Sequence, residues 1–113
     1  MTDIVFYKLD NVIYSVECSG HTGYDVEGRD IVCSALSSLI QGCALGPKEV
    51  VMVQPKIKIN ENNGYYKIDL PRNITEDKLR DSQILLQTLF VSVKDLAQGC
   101  SEYINLEERD YVY

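Results

Sequence analysis

A histidine and a cysteine, His21 and Cys33, are the two residues whose types and spacing suit nucleophilic chemistry. His21 is the single histidine of the chain, and Cys33 is one of its four cysteines. The thiolate is the nucleophilic form of cysteine, and a nearby imidazole can take the thiol proton and remain as a stabilising cation. Eleven residues separate the two in sequence, so a loop must bring them together.

The stretch from 20 to 37 predicts the elements that position this pair. Three glycines flank the histidine and end the loop: Gly20, Gly23 and Gly28. An apolar run at helical spacing follows at once, which predicts that His21 ends a strand, that residues 22–28 form a mobile loop and that Cys33 lies in the first turn of a helix. A helix N-terminus has unpaired N–H groups and about half a positive charge, which favours a thiolate. From spacing alone, a buried structural cysteine and an exposed loop histidine are favoured over a reactive pair, because cysteine is often buried as a small apolar residue.

The same stretch resembles the signature of the bacterial ribosomal-processing cysteine proteases, the Prp family. The family pattern is G-H-x-G, a short loop, then G-x-D, two apolar residues, C-[AS]-A, an apolar residue and S. Thr22 replaces a common alanine, which is a mild departure. The resemblance extends over the whole chain, and its motif comprises Gly20, His21, Gly23, Gly28, Asp30, Ile31, Val32, Cys33, Ser34, Ala35, Leu36 and Ser37.

This resemblance implies a cysteine endopeptidase without metal or cofactor. Cys33 would attack the scissile carbonyl, and His21 would take its proton and later give one to the leaving amine. Backbone N–H groups at the start of the first helix are candidates for the oxyanion hole. Family members remove a short N-terminal extension from a large-subunit ribosomal protein; that extension is apolar, ends in aromatic residues and is cut before a small residue. The resemblance also implies a homodimer.

Six further residues are predicted to support or contact the substrate. Asp30 could orient His21 or build the pocket, although capping of the helix explains it as well. Ser37 lies four residues after Cys33, on the same helix face. Tyr24 either packs on substrate or covers the flank of the domain. Motif positions complete the set: Gly20, Gly23 and Ser34.

Other functions compete with the protease. Cys18 and His21 form a C-x-x-H pair that Cys33 could join as zinc ligands, but no fourth ligand has metal-site spacing. A redox-sensing thiol protein would need Cys18 close enough to resolve an oxidised Cys33. A ribosome-associated binding module without catalysis fits the small size and the acidity, although such a protein has no need of the intact pair.

Length and composition limit the number of domains, the kinds of partner and the cellular location that can be expected. A length of 113 residues suits a single domain spanning 1–113 with a modest core. The net charge of −6 argues against direct nucleic-acid binding and favours a basic partner. We find no signal-peptide pattern after Met1 and no apolar run long enough to cross a membrane, so a cytoplasmic protein with reduced cysteines is expected.

Hydrophobic periodicity predicts an α+β fold in the order β-β-α-β-β-α, with two helices on a small mixed or antiparallel sheet and a short final strand. Asp10 and Asn11 form the first hairpin turn, and residues 60–64 form the second. We predict strands over 3–9, 12–18, about 50–59 and 65–70, helices over about 29–44 and 75–98, and an edge strand over 103–106.

Four local expectations accompany this assignment. In the second strand, Val12, Tyr14, Val16 and Cys18 share one face. Gly42 and Gly46 help end the first helix, and Pro47 prevents its continuation. Pro55 disturbs the third strand and places it at a sheet edge or bulge. The apolar face of the second helix, widened by Ile84, Leu85 and Val91, exceeds what one side of a small sheet needs and predicts a homodimer contact.

Overall fold

A computed structural model describes residues 2–20, 27–60 and 64–112, and gives the backbone alone for residues 27–34 and 37. Five strands and two helices follow one another in these ranges. Their bounds are β1 Thr2–Leu9, β2 Val12–Ser19, α1 Glu27–Glu49, β3 Lys56–Asn60, β4 Tyr65–Asp69, α2 Glu76–Gly99 and β5 Ile104–Asp110.

The strands form one mixed sheet in the order β3-β4-β2-β1-β5. Neighbouring pairs are antiparallel except β1 and β5, which are parallel. Both helices pack on one face, where α1 and α2 share a core with the sheet; its residues of lowest exposure include Ile4, Phe6, Ile13, Leu36, Ile68, Leu86, Leu89 and Val93. The predicted α+β architecture is therefore confirmed. Within the described residues, neither helix is long and apolar enough to cross a membrane.

The β1–β2 hairpin contains an irregularity that alternation did not predict. Asp10 and Asn11 have φ angles of 51° and 66°, as a two-residue type I′ turn requires, so the predicted turn is confirmed. Beyond it, Tyr7 pairs with Ser15 but Lys8 pairs with Ile13, so Tyr14 is an extra residue in β2. This bulge moves Ile13 to the core face beside Val16 and Cys18. The prediction that Val12, Tyr14, Val16 and Cys18 share one face is therefore wrong for Val12 and Tyr14.

Helix α1 is longer than predicted and includes Pro47. Pro47 costs the helix one hydrogen bond, but its ring is fully buried, and the Val50 N–H continues the turn by donating to the Gly46 carbonyl at 2.8 Å. Gly46 therefore does not end the helix. A Cβ built there would lie 2.7 Å from Leu85 Cδ1, so Gly46 permits the close approach of α2.

The predicted strand over residues 50–55 is absent, and β3 begins only after Pro55. Met52 adopts a φ of 65°, which breaks an extended chain. The Val53 N–H donates to the Pro47 carbonyl at 2.8 Å, which folds this segment back against α1. The prediction that the strand near Pro55 lies at a sheet edge is confirmed. The final strand is also confirmed and extends to Asp110.

The sheet face opposite the helices has a carboxylate shared by three strands. Glu17 of β2 accepts hydrogen bonds from Tyr65 of β4 at 2.6 Å and from Tyr7 of β1 at 2.8 Å. These bonds, that of Tyr65 first, lower the pKa of Glu17 although its partial burial opposes them. Burial and the bond to Glu17 raise the pKa of Tyr65 to about 12. Glu17 thus ties the last part of β2 to both neighbouring strands.

Glu17→Gln is expected to reduce the loss of unfolding free energy that the protein shows as the pH falls from 7 to 3. Because the pKa of Glu17 is lower in the folded protein, its contribution is complete above the ordinary carboxyl value of 4.5 and is lost as the pH falls through the folded pKa. Urea unfolding from pH 7 to pH 3 measures this, with Glu108→Gln on exposed β5 as the matched control. Equal losses of stability in the wild type and in Glu17→Gln would contradict the expectation.

Candidate active site

Strand β2 delivers the chain to the position of His21. The strand ends at Ser19, and Gly20 follows with a φ of 130°, a conformation that side chains rarely adopt. The prediction that His21 follows the end of a strand agrees with this. His21, Gly23 and Tyr24 themselves lie outside the described residues, so their predicted roles remain predictions.

Cys33 lies further inside its helix than predicted. Helix α1 begins at Glu27, so Cys33 is its seventh residue and belongs to the second turn. The unpaired N–H groups of a helix are those of its first four residues, and the dipole effect decays within the first turn. The predicted place of Cys33 in the first turn is therefore wrong. Candidate oxyanion donors at the helix start lie one turn before it.

Helical spacing puts the motif residues of α1 on one side of the helix. Cys33 precedes Ile40 by seven residues and Ala44 by eleven, so the three positions lie on nearly the same line along the helix. The other motif residues are related in the same way to residues further along the helix. Each precedes its counterpart by eleven residues: Asp30 precedes Gln41, Ser34 precedes Leu45 and Ser37 precedes Lys48. The side chains at 30, 33, 34 and 37 are outside the described part of the structure.

This side of α1 borders a groove of about 570 Å³ between the helix and the β3–β4 hairpin. We call it the α1–β3 groove. Its lining residues are Cys18, Ile40, Gln41, Ala44, Leu45, Lys48, Ile57, Ile59, Asn60, Gly64, Tyr65 and Tyr66. Cys18 in this set precedes His21 by three residues. The groove therefore adjoins both the strand that leads to His21 and the helix that contains Cys33.

The groove is apolar with one charged end. Leu45 and Ile59 expose 56% and 58% of their surfaces, which is high for aliphatic side chains on a groove wall. Burial raises the pKa of the Tyr66 phenol. Lys48, in the last turn of α1, is the charged side chain among the described lining residues. An extended peptide with apolar side chains fits such a surface.

Sequence reasoning predicted His21 and Cys33 as the reactive pair but missed this groove. The signal was present in two places: Ile57 and Ile59 alternate on one face of a strand that Pro55 marks as an edge, and Leu45 lies outside the predicted core stripe of its helix. Their exposure in the folded chain is what makes them a candidate binding surface. Nothing in the sequence indicated that the edge strand and α1 would face each other.

In the part of the chain that the structure describes, no three histidine, cysteine or acidic side chains come together as metal ligands would. Cys43 and Cys100 are free thiols. Burial raises the pKa of Cys43, whose thiol donates to the Leu85 carbonyl at 3.8 Å. Cys43 is thus a half-buried thiol with a raised pKa on the same helix as Cys33, and it provides a matched control for substitutions of Cys33.

Gly20→Ala is expected to reduce activity through the adjacent His21. A φ of 130° costs a non-glycine residue about 1–3 kcal/mol, and relief of that strain turns the following residue away from its native place. We expect kcat/KM to fall at least about tenfold, because a small misplacement of a catalytic group is costly.

Gly42→Ala is the matched control. A Cβ at Gly42 meets no atom within 4 Å, and alanine is favoured in a helix interior, so activity and stability should be retained or improved. Urea unfolding and steady-state cleavage measured on both variants separate local strain from general damage. Full activity in Gly20→Ala would contradict the expectation.

Comparisons with known proteins identify relatives of this arrangement. Residues 1–105 match the family model of cysteine protease Prp. Ribosomal processing cysteine protease Prp of Bacillus subtilis (strain 168) is 24% identical over 102 residues, covering 90% of this chain and 81% of the relative. The protein of that name from Staphylococcus aureus (strain Mu50 / ATCC 700699) is 27% identical over 94 residues, with coverages of 83% and 85%.

Solved structures have the same fold. SMU.848 from Streptococcus mutans superposes with a TM-score of 0.88 at 27% identity, covering 98% of this chain and 96% of that one. The ribosomal processing protease Prp of S. aureus in complex with a substrate peptide superposes with a TM-score of 0.84 at 22% identity, covering 96% of this chain and all of the other. At the latter identity the likeness concerns the fold alone.

Proposed function

The chain belongs to the Prp family of cysteine proteases, and we propose that it removes the N-terminal extension of a large-subunit ribosomal protein. Cys33 is the proposed nucleophile and His21 the proposed general base and acid. The observation that supports this most directly is the place of Cys33 on the side of α1 that borders the α1–β3 groove. A peptide in the groove would pass the thiol.

The proposed reaction proceeds in two stages. His21 takes the thiol proton as the Cys33 sulfur attacks the scissile carbonyl, and the resulting oxyanion is stabilised by backbone N–H groups. His21 then gives the proton to the leaving amine, which departs as the C–N bond breaks and leaves a thioester. A water molecule, deprotonated by His21, hydrolyses the thioester, and the thiol is regenerated.

Substrate and partner follow from the relatives and from charge. Relatives of this chain are named ribosomal processing proteases, and the S. aureus protein has been crystallised with a substrate peptide and with a covalently linked product peptide. A net charge of −6 favours association with a basic protein, as ribosomal proteins generally are. We propose Gly20, Gly23, Tyr24, Asp30, Ser34 and Ser37 as supporting residues of the site.

A peptide-cleavage assay tests the proposal. The reduced protein is incubated with a synthetic peptide that spans the N-terminal extension and its junction, and products are identified by mass. We expect cleavage by the wild type and by Cys43→Ala, and a loss of at least about 10³-fold in Cys33→Ala and His21→Ala. Equal cleavage by wild type and Cys33→Ala would sink the proposal.

The alternative, a ribosome-associated binding module without catalysis, makes a different prediction in the same assay. It expects the peptide to bind under reducing conditions and to remain intact. The whole ribosomal protein is then the decisive substrate, because a larger substrate can contribute binding energy that opens the site. Binding without cleavage of that protein would establish the alternative.

We also propose that the chain is a cytoplasmic homodimer that associates through α2. Ile84 and Val91 lie seven residues apart on the same side of the helix and expose 65% and 58% of their surfaces. Ile84→Glu with Val91→Glu should convert a dimer to a monomer in sedimentation velocity, whereas Gln98→Glu, about 10 Å beyond Val91 along the helix, should weaken it less. A monomeric wild type would overturn the proposed dimer.

A further inference from the structure

The α1–β3 groove extends well beyond the position of Cys33 along the helix. With a rise of about 1.5 Å per residue, the groove-lining residues from Ile40 to Leu45 lie about 10–18 Å from Cys33, and Lys48 lies about 22 Å away. An extended peptide advances about 3.3 Å per residue. Peptide residues three to five positions from the scissile bond therefore reach the apolar part of the groove, and a residue about seven positions from that bond reaches Lys48.

The walls of the groove define what its apolar part can bind. Ile40 and Ala44 form the buried floor on the helix side, whereas Leu45, Ile57 and Ile59 stay partly exposed above it. The outer edge of β3 has no neighbouring strand in the described sheet. An aliphatic or aromatic side chain placed between these walls would cover apolar surface that now faces water.

Lys48 gives the far end of the groove a charge. It has no carboxylate partner within the described part of the chain. Its position in the last turn of α1 also places it favourably for the helix dipole, which would explain a lysine there without any ligand. The two roles differ in what they predict, because a dipole interaction affects stability alone and a binding role affects the choice of peptide.

We infer that the α1–β3 groove is a remote specificity site for an extended peptide. It selects an apolar side chain about three to five residues from the scissile bond, and Lys48 selects an aspartate or glutamate about seven residues from that bond. The inference rests on the proposed protease function and adds to it a preference for acid at a distance from the reacting atoms. The apolar contacts supply binding energy, and the charge at the end supplies register.

A charge scan of the peptide tests the inference. Aspartate, asparagine or lysine is placed singly at each position from five to nine residues from the scissile bond, on either side, in a peptide that the wild type cleaves. We expect one stretch of positions at which aspartate exceeds lysine by about three- to tenfold in kcat/KM, as exposed or half-exposed ion pairs allow. The preference should shrink at an ionic strength of about 0.5 M.

Substitutions on the enzyme complete the test. Lys48→Glu should reverse the charge preference, Lys48→Gln should abolish it, and Lys94→Glu on α2 should leave it intact. Ile59→Gln should raise KM with kcat unchanged, since it removes contact remote from the chemistry. Ile59 is 58% exposed, so the variant is expected to fold.

The outcomes separate this inference from the proposed function. If no peptide in the series is cleaved by the wild type, the protease proposal fails first. If all are cleaved and the charge scan is flat, or the preference persists in Lys48→Glu, the inference is overturned while the protease stands. A change of stability without a change of preference in Lys48→Gln assigns Lys48 to the helix dipole and also overturns it.

Discussion

Gln83→Leu is expected to lower the free energy of unfolding by about 2–4 kcal/mol. The pairing of β2 with β4 ends at Ser15, so Ile13 lies beyond it, and the Gln83 amide binds the Ile13 backbone there. Its Oε1 accepts from the Ile13 N–H at 2.8 Å, and its Nε2 donates to the Ile13 carbonyl at 2.7 Å. Ile13 is fully buried, so both backbone groups would lose their partners, at about 1–3 kcal/mol each.

The same substitution elsewhere on α2 provides the control. Gln98→Leu, near the exposed end of the helix, should change the unfolding free energy by no more than about 0.5 kcal/mol. Urea unfolding of both variants measures the difference. A loss below about 1 kcal/mol in Gln83→Leu would mean that water takes over both bonds.

Gln83→Glu adds a sharper test of the same contact. At pH 7 its carboxylate can accept from the Ile13 N–H but faces the Ile13 carbonyl, so one bond becomes a repulsion. That repulsion should raise the pKa of the new carboxyl in the folded state, and stability should recover as the pH falls toward about 4 because the protonated acid can donate again. A deficit that does not change between pH 7 and pH 4 would show that this geometry is wrong.

The bulge also explains why sequence reasoning described β2 only in part. Alternation assumes one residue per step, and Val16 and Cys18 obey it. Tyr14 breaks the rule, and Gln83, distant in the sequence, binds the backbone of the adjacent Ile13. A long-range side-chain contact of this kind has no local signal.

Two wrong predictions near the end of α1 have a similar origin, namely a helix end before Pro47 and a strand over residues 50–55. Pro47 and the run of valines at Val50 and Val51 have strong local preferences, for a helix end and for a strand. The fold overrides both, since burial of the Pro47 ring and the contact of Gly46 with Leu85 favour continuation of the helix. Local propensity is a weak prior where tertiary packing opposes it.

The candidate site also has a part that local sequence predicts and a part that only tertiary packing creates. Motif spacing predicts His21 and Cys33 as the reactive pair, because a nucleophile and its base must occur as particular residue types. The α1–β3 groove could not be predicted, since it arises from how α1 lies against an edge hairpin. The place of Cys33 in the second turn of α1 has a further consequence for its reactivity.

We expect the reactivity of Cys33 to depend strongly on His21. The helix dipole acts mainly on the first turn, so it contributes little to a thiolate in the second turn, and the imidazole becomes the main source of activation. We expect alkylation of Cys33 by iodoacetamide to continue well below the free thiol pKa of about 8.5. In His21→Ala the rate at pH 6 should fall by about 100-fold, since few thiolates remain there.

Mass spectrometry of the alkylated peptide, followed from pH 5 to pH 10, measures the profile of Cys33 alone. Cys43, whose pKa is raised by burial, provides an internal reference that should react only at high pH in both proteins. Two different profiles for Cys33, one near neutral or below in the wild type and one near 8.5 in His21→Ala, would establish the pair in the resting enzyme. If the pH profile of Cys33 alkylation stays well below 8.5 in His21→Ala, the activation comes from the helix or from another cation. If the wild-type profile is centred near 8.5, the pair forms only after substrate binds.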